Sequence, residues 1–267
     1  MIESANDEQS VESFRLLFKK TLKTRPLKKI PETDAIFTNV KAENQKSDTN
    51  PKSLRISIDC KAKVRVGNLS RKGSARGLEP KRADDHDMEW NASLAPFGIQ
   101  EMGTSNLSLF FGTSRETSDF ILDCLEMWWE NNKMKHTEIK ELVINLDNGP
   151  SQKSNRTQFI KRMVLFSKKI ALPIHLVYYP PYHSKYNPIE HTFGVLERYW
   201  NGQILNTVDT VLKVASNMRF KGQNPSIYLI DKMYELGNRL SKEELKPFFK
   251  SFLPSKHLPK WDVVINP

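Results

Sequence analysis

The chain has 267 residues, which is enough for one domain of moderate size with or without appendages. Its hydrophobic fraction of 38% and charged fraction of 27% are typical of a folded globular protein and not of a disordered one. No apolar run approaches the roughly 18–20 residues of a membrane helix, and residues 1–15 lack the pattern of a signal peptide, so we expect no membrane partner and a cytoplasmic protein, associated with the nucleoid in a bacterium.

The net charge of +10 and the sequence pI of about 9.4 favour a polyanionic partner, because basic side chains release counterions from nucleic acid when they bind it. The charge is also clustered. Residues 61–82 hold eight Lys and Arg residues against one acid, Glu79, and residues 15–29 hold seven. Such segments are either nucleic-acid contacts or solvated surface, and the sequence leaves both interpretations open.

Residues 1–50 are predicted to form an N-terminal arm and linker. An amphipathic stretch at Val11–Leu22 has helical spacing, and Pro26 and Pro31 end it. The polar run at 43–53 indicates a linker that leads to the first strand.

The next segments are predicted to be strands because apolar and polar residues alternate. Leu54–Asp59 is the first strand, and Lys61–Val66 alternates again and is expected to pair with it. Residues 67–92 have no period and are predicted to form a basic loop insertion. Ala95–Met102 and Leu107–Thr113 are expected to complete an antiparallel meander with the first strand.

After this meander, helical and strand patterns alternate. A helix is predicted over Thr117–Asn131, with Ser114 as its N-cap. A later helix is expected to begin with Asn187 as N-cap and Pro188 at the first helical position. The remaining predicted elements are strands at Leu142–Leu146 and Ile174–Tyr179, helices at Asn155–Ala171, 207–219 and 226–250, and an extended tail.

This order predicts an α/β fold with a mixed sheet, in which three antiparallel strands are followed by parallel strand–helix units with flanking helices. The main domain is expected to span residues 51–220 and to include the basic loop insertion at 67–92. Residues 221–267 are expected to form a C-terminal helical extension and tail.

Three acidic residues stand at the ends of these elements. Asp59 ends the first strand, Asp147 follows the fourth, and Glu190 lies in the first turn of the helix after the fifth. Functional groups gather outside the carboxyl ends of parallel strands, so we expect the three carboxylates to meet there. Each residue alone also fits an ordinary structural role at a strand end, a turn or a helix N-terminus.

Three carboxylates at one place repel each other unless a cation neutralises them. Their hard oxygens suit Mg²⁺ or Mn²⁺, and two such ions about 4 Å apart form the clamp that phosphodiester chemistry uses. We therefore expect two ions and no small-molecule cofactor, with Asp59 bridging both ions and Asp147 and Glu190 each completing one side.

The stretch 176–200 has an aromatic-Pro segment that leads to Asn-Pro-Ile-Glu at 187–190, and it resembles the signature of mariner-type DDE transposases. A narrower resemblance is to insertion-sequence transposases of the ISAzo type, also called the Rhodopirellula-type DDE domain. It covers about residues 29–267 in long blocks that follow in order. The blocks are KIPETDAIF at 29–37, RISIDCKAKV at 55–64, PFGI at 96–99, LFFGTSRETSDF at 109–120, ELVINLDNGPSQKSNRTQFIKRM at 141–163 and YYPPYHSKYNPIE at 178–190.

The resemblance implies an RNase H-like fold and a DNA transposase that cleaves and transfers strands with divalent metal ions. It places the catalytic, metal-binding carboxylates of the family on Asp59, Asp147 and Glu190. It also implies that transposon ends and target DNA are the partners, and that a homodimer forms on paired ends.

Two alternatives stay open. One is a plain RNase H-like nuclease, although the block that leads to Asn-Pro-Ile-Glu argues against it. The other is a truncated, non-autonomous remnant that binds DNA without catalysing transposition. Family members carry a helix-turn-helix region ahead of the catalytic domain, and residues 1–30 contain no such pattern, which favours a loss of autonomous end recognition.

Residues beside these motifs are candidates for supporting roles. His183 and Lys185 precede the helix that carries Glu190 and are candidates for phosphate contact. Asn148 is a candidate to hold a metal-bound water, and Asn187 is a candidate to support the site, although ordinary loop and capping roles suit these residues equally. The other candidates for DNA contact are Lys61, Lys63, Arg71 and Lys72.

Overall fold

The computed structural model describes residues 28–84, 89–104 and 106–267, so the amphipathic stretch at Val11–Leu22 lies outside the described residues. In these ranges no helix has both the length and the hydrophobicity that a membrane span requires. The strands are β1 Ser53–Cys60, β2 Val64–Val66, β3 Ala92–Glu101, β4 Leu107–Gly112, β5 Glu141–Leu146, β6 Ile174–Tyr178, β7 Ser226–Ile230, β8 Phe252–Pro254 and β9 Asp262–Ile265. The α-helices are α1 Thr33–Thr49, α2 Ser118–Asn132, α3 Thr157–Ile170, α4 Pro188–Trp200, α5 Val208–Ser216 and α6 Lys242–Leu245.

One mixed sheet forms the centre of the molecule. Its strands follow the order β7-β4-β3-β1-β5-β6-β9-β8, and β2 pairs with the first half of β3. β1, β3 and β4 are consecutively antiparallel, whereas β5 and β6 continue from β1 in parallel. This arrangement of three antiparallel strands and parallel strand–helix units confirms the predicted α/β, RNase H-like fold.

Helices cover both faces of the sheet, and neighbouring residues of β3 show which helix lies on which face. Phe97 contacts Phe120 of α2, with 6.1 Å between the ring centroids, whereas Gly98 faces Ile189 of α4. Successive residues of a strand point to opposite faces, so α2 and α4 lie on opposite sides of the sheet. One apolar cluster gathers α2 and α3 on the central strands and also includes residues of α1, although the contacts of α1 with Arg55 and Asn145 place this helix on the same face as α4; a second cluster joins α4 and α5 to β2 and β4.

The segment 33–49 is helical, so the predicted arm and polar linker are wrong there. α1 buries apolar side chains only in its first half. In its second half Asn145 of β5 donates to Asn44 at 2.8 Å, and Arg55 of β1 donates to both carboxylate oxygens of Asp48 at 2.7 and 2.6 Å. A hydrophobic pattern does not reveal this helix because polar contacts hold half of it to the sheet.

The strand predicted at Lys61–Val66 is shorter than expected and has a different partner. Val64–Val66 pairs with β3, not with β1. Both edges of β1 are already occupied, by β3 on one side and β5 on the other, so no edge of β1 is open to a further strand.

The segment predicted as a helix at 226–250 begins with a strand. β7 pairs in parallel with β4, and the ring of Tyr228 stacks on Phe110 with 4.8 Å between centroids. β8 and β9 extend the opposite end of the sheet next to β6, and only the short α6 is α-helical within 221–267, so the predicted helical extension is wrong. The N-cap of α2 is Thr117, whose side chain accepts from Phe120 N at 3.2 Å, and not Ser114 as predicted.

Arg162 of α3 is the centre of an ion-pair cluster with α2. Its guanidinium lies 2.7 Å from Asp119, 2.6 Å from Asp123 and 3.2 Å from Glu126. Burial raises the pKa of Asp119 and Asp123, but hydrogen bonds from Arg162 and neighbouring side chains outweigh burial, and both pKa values lie below the ordinary value. The cluster therefore stabilises the folded state when its acids are ionised.

Replacement of Arg162 by Met should lower the free energy of unfolding at neutral pH by roughly 2–4 kcal/mol, because Asp119, Asp123 and Glu126 lose the cation that they share, and among the described residues only Asp123 and Glu126 keep another ion pair, with Lys232 and Lys169. The folded-state pKa values of Asp119 and Asp123 lie below the unfolded ones. The stabilisation is therefore present above about pH 4 and disappears as the pH falls through the folded-state values. The difference in the free energy of unfolding between the unaltered protein and Arg162→Met should therefore become smaller in acid.

Urea denaturation of both proteins at about pH 7 and about pH 3 measures this difference. Arg198→Met, which removes an exposed arginine from α4, is the matched control and should change stability little. An equal loss of stability at both pH values would contradict the role of the ionised acids.

Candidate active site

The register of the sheet brings Asp59 and Asp147 to the same edge. β1 and β5 are parallel neighbours, and Ser57 is paired with Asn145. Two residues further along each chain come Asp59 and Asp147, at the carboxyl ends of the two strands. Neighbouring strands are about 4.8 Å apart, so the two acids stand side by side, as the sequence predicts.

Asn187 holds the beginning of α4 against β1. Its Oδ1 accepts a hydrogen bond from Ser57 Oγ at 2.6 Å, and its Nδ2 donates to the carbonyl oxygen of Ile58 at 3.0 Å. Ser57 Oγ in turn accepts from the backbone N–H of Ile189 at 3.1 Å. Asn187 occupies the N-cap position as predicted, but its side chain contacts the sheet and does not cap the helix. Glu190, in the first turn, is thereby fixed near the end of β1.

Gly98 gives α4 the space to lie close to the sheet. It is paired with Asp59 across β1 and β3, and a Cβ atom at this position would come within 2.8 Å of Ile189 Cδ1 and 3.0 Å of Phe193 Cε1. Both contacts are shorter than ordinary packing distances, so a larger residue would push the first turns of α4 outward. The glycine therefore supports the approach of Glu190 to Asp59.

The three acids interact electrostatically. Asp59 is buried, and burial raises its pKa well above the ordinary value; the charges of Asp147 and Glu190 raise it further, while the backbone N–H of Cys60, 2.8 Å from Oδ1, acts in the opposite direction. Within the described ranges, however, no three Asp, Glu, His or Cys side chains converge closely enough to form a complete set of metal ligands.

The polar atoms around Asp147 suit a hard cation. Asp147 Oδ1 accepts hydrogen bonds from Gly149 N, at 3.2 Å, and from Gln152 Nε2. Asn148 Oδ1 and Gln152 Oε1 are buried oxygens that have no hydrogen-bond partner among the residues that the structure describes. Unpartnered buried oxygens are costly in a folded protein. Together with the carboxylates they form an oxygen-only donor set, and Mg²⁺ and Mn²⁺ prefer such a set.

Sequence reasoning missed two residues at this edge. Glu116, in the loop before α2, is close enough for its charge to raise the pKa of Asp59. Gln152, in the loop after β5, is buried and donates to Asp147. Glu116 resembles a first-turn helix residue in the sequence, and Gln152 lies in a segment with no period. The only available signal was that both loops follow strands that end at the same edge.

Four basic residues predicted to contact DNA lie along the exit of β1 and the following loop. The Lys61 ammonium is 2.6 Å and the Arg71 guanidinium 3.5 Å from the carboxylate of Glu197 on α4. Lys63 Nζ donates to a backbone carbonyl at 3.3 Å. Lys72 is exposed at a positive φ of 58°, and its carbonyl oxygen accepts from the backbone N–H of residue 202 at 2.7 Å. The loop is therefore attached to the C-terminal half of α4.

The remaining candidates occupy the loop between β6 and α4. His183 is only 3% exposed, its Nδ1 is 2.7 Å from the Pro181 carbonyl oxygen, and its ring packs edge-on against Phe37 at 5.3 Å. This burial argues against direct phosphate contact by His183. Lys185 is half-buried, with its ammonium 5.3 Å from the ring centroid of Tyr186.

Solved structures with a similar fold include two complexes of the Mos1 transposase. The Mos1 mariner paired end complex with Mn is 11% identical, with a TM-score of 0.48 over 73% of this chain and 57% of that one. The Mos1 paired-end complex with the left transposon end is 11% identical, with a TM-score of 0.47 over 74% of this chain and 57% of that one. This chain thus covers less than two thirds of the length of the Mos1 transposase.

The HTLV-2 integrase catalytic core domain in complex with magnesium is also similar, at 10% identity and a TM-score of 0.33, over 64% of this chain and 91% of that one. No sequence among the curated proteins matches the chain. The family model described as the Rhodopirellula transposase DDE domain, in contrast, matches residues 11–267. This match extends over nearly the whole sequence and confirms the resemblance drawn from its motifs, so the chain belongs to the Rhodopirellula transposase DDE domain family.

Proposed function

We propose that this chain is the catalytic domain of an insertion-sequence transposase and performs metal-dependent DNA strand cleavage and strand transfer. The observation that carries the proposal is the placement of Asp59 and Asp147 at the carboxyl ends of the parallel neighbours β1 and β5, with Glu190 in the first turn of the helix that Asn187 holds against β1. A buried acid beside two like charges is unfavourable for stability, and such arrangements occur at functional sites. The family of the chain supports the same chemistry.

The positions of the three acids support a proposed role for each of them. Asp59 is the central and most buried of them, and it would hold both of two divalent ions, Mg²⁺ or Mn²⁺, with Asp147 and Glu190 each holding one. When bound, the ions would lower the pKa of the attacking water or DNA 3′-hydroxyl and stabilise the leaving oxygen. Asn187 and Gly98 would fix the distance of Glu190 from the other two acids. Asn148 Oδ1 is available to accept a hydrogen bond from a coordinated water.

The DNA is proposed to run along the basic side of this edge. Lys61 and Lys63 lie on the segment that leaves β1 after Asp59, Arg71 and Lys72 lie in the loop after β2, and Lys185 precedes α4. Basic residues in these positions would contact phosphates and orient the strand without reading its sequence. Transposon ends and target DNA are the proposed substrates, a homodimer on paired ends the proposed assembly, and the bacterial nucleoid the proposed place of action.

Replacement of Asp147 by Asn should abolish cleavage of labelled DNA in the presence of Mg²⁺ or Mn²⁺, with a rate decrease of at least about a thousandfold, because a metal-binding charge is lost with little change in volume. The substrate is DNA that carries element ends, pre-nicked so that recognition is less limiting. The assay follows cleavage and strand joining over time.

Asp209→Asn, which removes an exposed acid from α5, is the matched control and should leave the rate unchanged. If the unaltered protein binds DNA and metal but neither cleaves nor joins strands, the proposal that this chain is a catalyst is wrong. The alternative of a protein that binds DNA without catalysing transposition would then be favoured.

Replacement of Asn187 by Ala should lower the free energy of unfolding by about 1–3 kcal/mol, because the Ser57 hydroxyl and the Ile58 carbonyl lose a buried partner. It should also lower the cleavage rate per folded molecule by about tenfold or more, because Glu190 is no longer held in position. Urea denaturation and the cleavage assay measure the two effects separately.

Asn131→Ala, at an exposed position near the end of α2, is the control for loss of an asparagine. A destabilised Asn187→Ala protein that cleaves at the normal rate per folded molecule would restrict Asn187 to a structural role.

A further inference from the structure

The loop between β6 and α4 crosses the edge of the sheet at which the acids stand. It begins beside Asp147, because Tyr178 at the end of β6 is paired with Leu146. It ends beside Asp59, because Asn187 donates a hydrogen bond to the last part of β1. Side chains that this loop exposes therefore lie near the proposed place of strand cleavage.

Tyr182 has an unusual backbone conformation within this loop. His183 N donates to the Pro180 carbonyl oxygen at 3.2 Å, which closes a tight turn around Pro181 and Tyr182. Tyr182 has a positive φ of 65°. This position of a turn normally holds Gly or Asn, and a bulky residue is strained there. Backbone strain of this kind is concentrated at functional sites, so the side chain of Tyr182 is a candidate for a function.

Packing in the core does not account for the ring of Tyr182. The residue is 54% exposed, and a glycine would form the same turn without strain. The ring does have one cationic neighbour, because Lys28 Nζ lies 4.3 Å from the ring centroid. The loop thus presents an aromatic surface together with a positive charge.

A second tyrosine and lysine stand together just before α4. Tyr186 is 40% exposed, and the Lys185 ammonium lies 5.3 Å from its ring centroid. The ring of Tyr186 packs edge-on against Phe37 of α1 at 5.1 Å, and it lies 6.0 Å from the ring of the buried His183. Phe37 and His183 therefore hold Tyr186 in place and leave part of its ring exposed.

Two exposed aromatic rings, each beside a lysine, fit the chemistry of an unpaired nucleotide. A base stacks on an aromatic ring whatever its sequence, and the neighbouring phosphate binds a cation. Bases inside a duplex are already stacked on both sides and offer no free face to such a ring. The lysines and the net charge of +10 favour an anionic partner over a second copy of this basic chain.

We propose that Tyr182 and Tyr186 form a stacking surface for unpaired bases of the DNA beside the cleavage site, with Lys28 and Lys185 on the phosphates of the same nucleotides. This inference rests on the proposed function for the identity of the ligand. It adds a property that phosphate contacts alone do not give, because stacking requires the duplex to be open near the acids. The protein should therefore prefer DNA that is unpaired at the place of cleavage.

The test compares two fluorescein-labelled duplexes of equal length, one fully paired and one with an internal run of unpaired thymidines. Fluorescence anisotropy measures their binding to the whole chain without divalent ions, so that no strand is cleaved. Tyr182→Gly removes the ring and relieves the strain. It should bind the open duplex about tenfold more weakly than the unaltered protein does and bind the paired duplex equally well. Its Tm should be equal or higher, which a purely structural role of the ring does not predict.

Two further variants and one control sharpen this comparison. Tyr182→Phe keeps the ring and should bind the open duplex normally, whereas Tyr186→Leu should weaken its binding. Phe249→Leu removes a 50% exposed ring shortly before β8, at the end of the sheet away from the acids, and should bind both duplexes normally. The fluorescence of a 2-aminopurine base among the unpaired nucleotides should fall when the unaltered protein binds, because stacking quenches it, and should stay high with Tyr182→Gly.

Three outcomes would contradict the inference. If Tyr182→Gly and Tyr186→Leu bind the open duplex as tightly as the unaltered protein, the tyrosines do not stack on bases, although the proposed function stands. If Tyr182→Gly instead dissociates a dimer in analytical ultracentrifugation and leaves DNA binding unchanged, the surface contacts a second copy of the chain. If the unaltered protein binds neither duplex, with or without Mg²⁺, both this inference and the proposed function are overturned.

Discussion

The hydrogen bonds between Asn187 and β1 are the interaction on which the candidate site depends. A helix that carries a carboxylate does not approach two other acids unaided, because repulsion and desolvation both oppose it. Asn187 compensates with bonds to Ser57 and Ile58 in a buried place where a missing partner is costly. Neutral and directional bonds therefore hold the first turn of α4, and with it Glu190, next to β1.

A second connection between β1 and α4 makes this position rigid. Lys61, at the exit of β1, forms an ion pair at 2.6 Å with Glu197, almost two turns beyond Glu190. Asp59 lies between the two places where the strand is attached to the helix. The two connections restrict how far the strand and the helix can shift relative to each other near the acids, and in the proposed function they would preorganise the site.

The places of the three acids in the fold were predictable from the sequence because strong strand patterns end abruptly at Asp59 and Asp147, and an Asn-Pro pair marks the start of the helix that carries Glu190. The meander, α3 and β6 were predictable because apolar residues recur in them at the spacing of a strand or a helix. The helix α1 was not predictable, because polar contacts hold its second half to the sheet. The strand β7 was not predictable either, because it pairs with an edge of β4 that exists only in the folded protein. Glu116 and Gln152 were missed because their environment comes from loops joined across the chain.

In the proposed function, the helix α4 contacts both the acidic edge that would bind cations and the basic loop that would bind DNA. Its first turn presents Glu190 to an acidic edge that repels phosphate as strongly as it attracts cations. Its last turns carry Glu197 and Trp200, which hold Arg71 by an ion pair at 3.5 Å and a cation–π contact at 5.1 Å. Glu197 thereby reduces the charge of the loop but fixes its position. A strand of DNA attracted by the remaining basic residues would thus be held at a defined distance from the acids, and bound cations would reduce the repulsion between these acids and a phosphate.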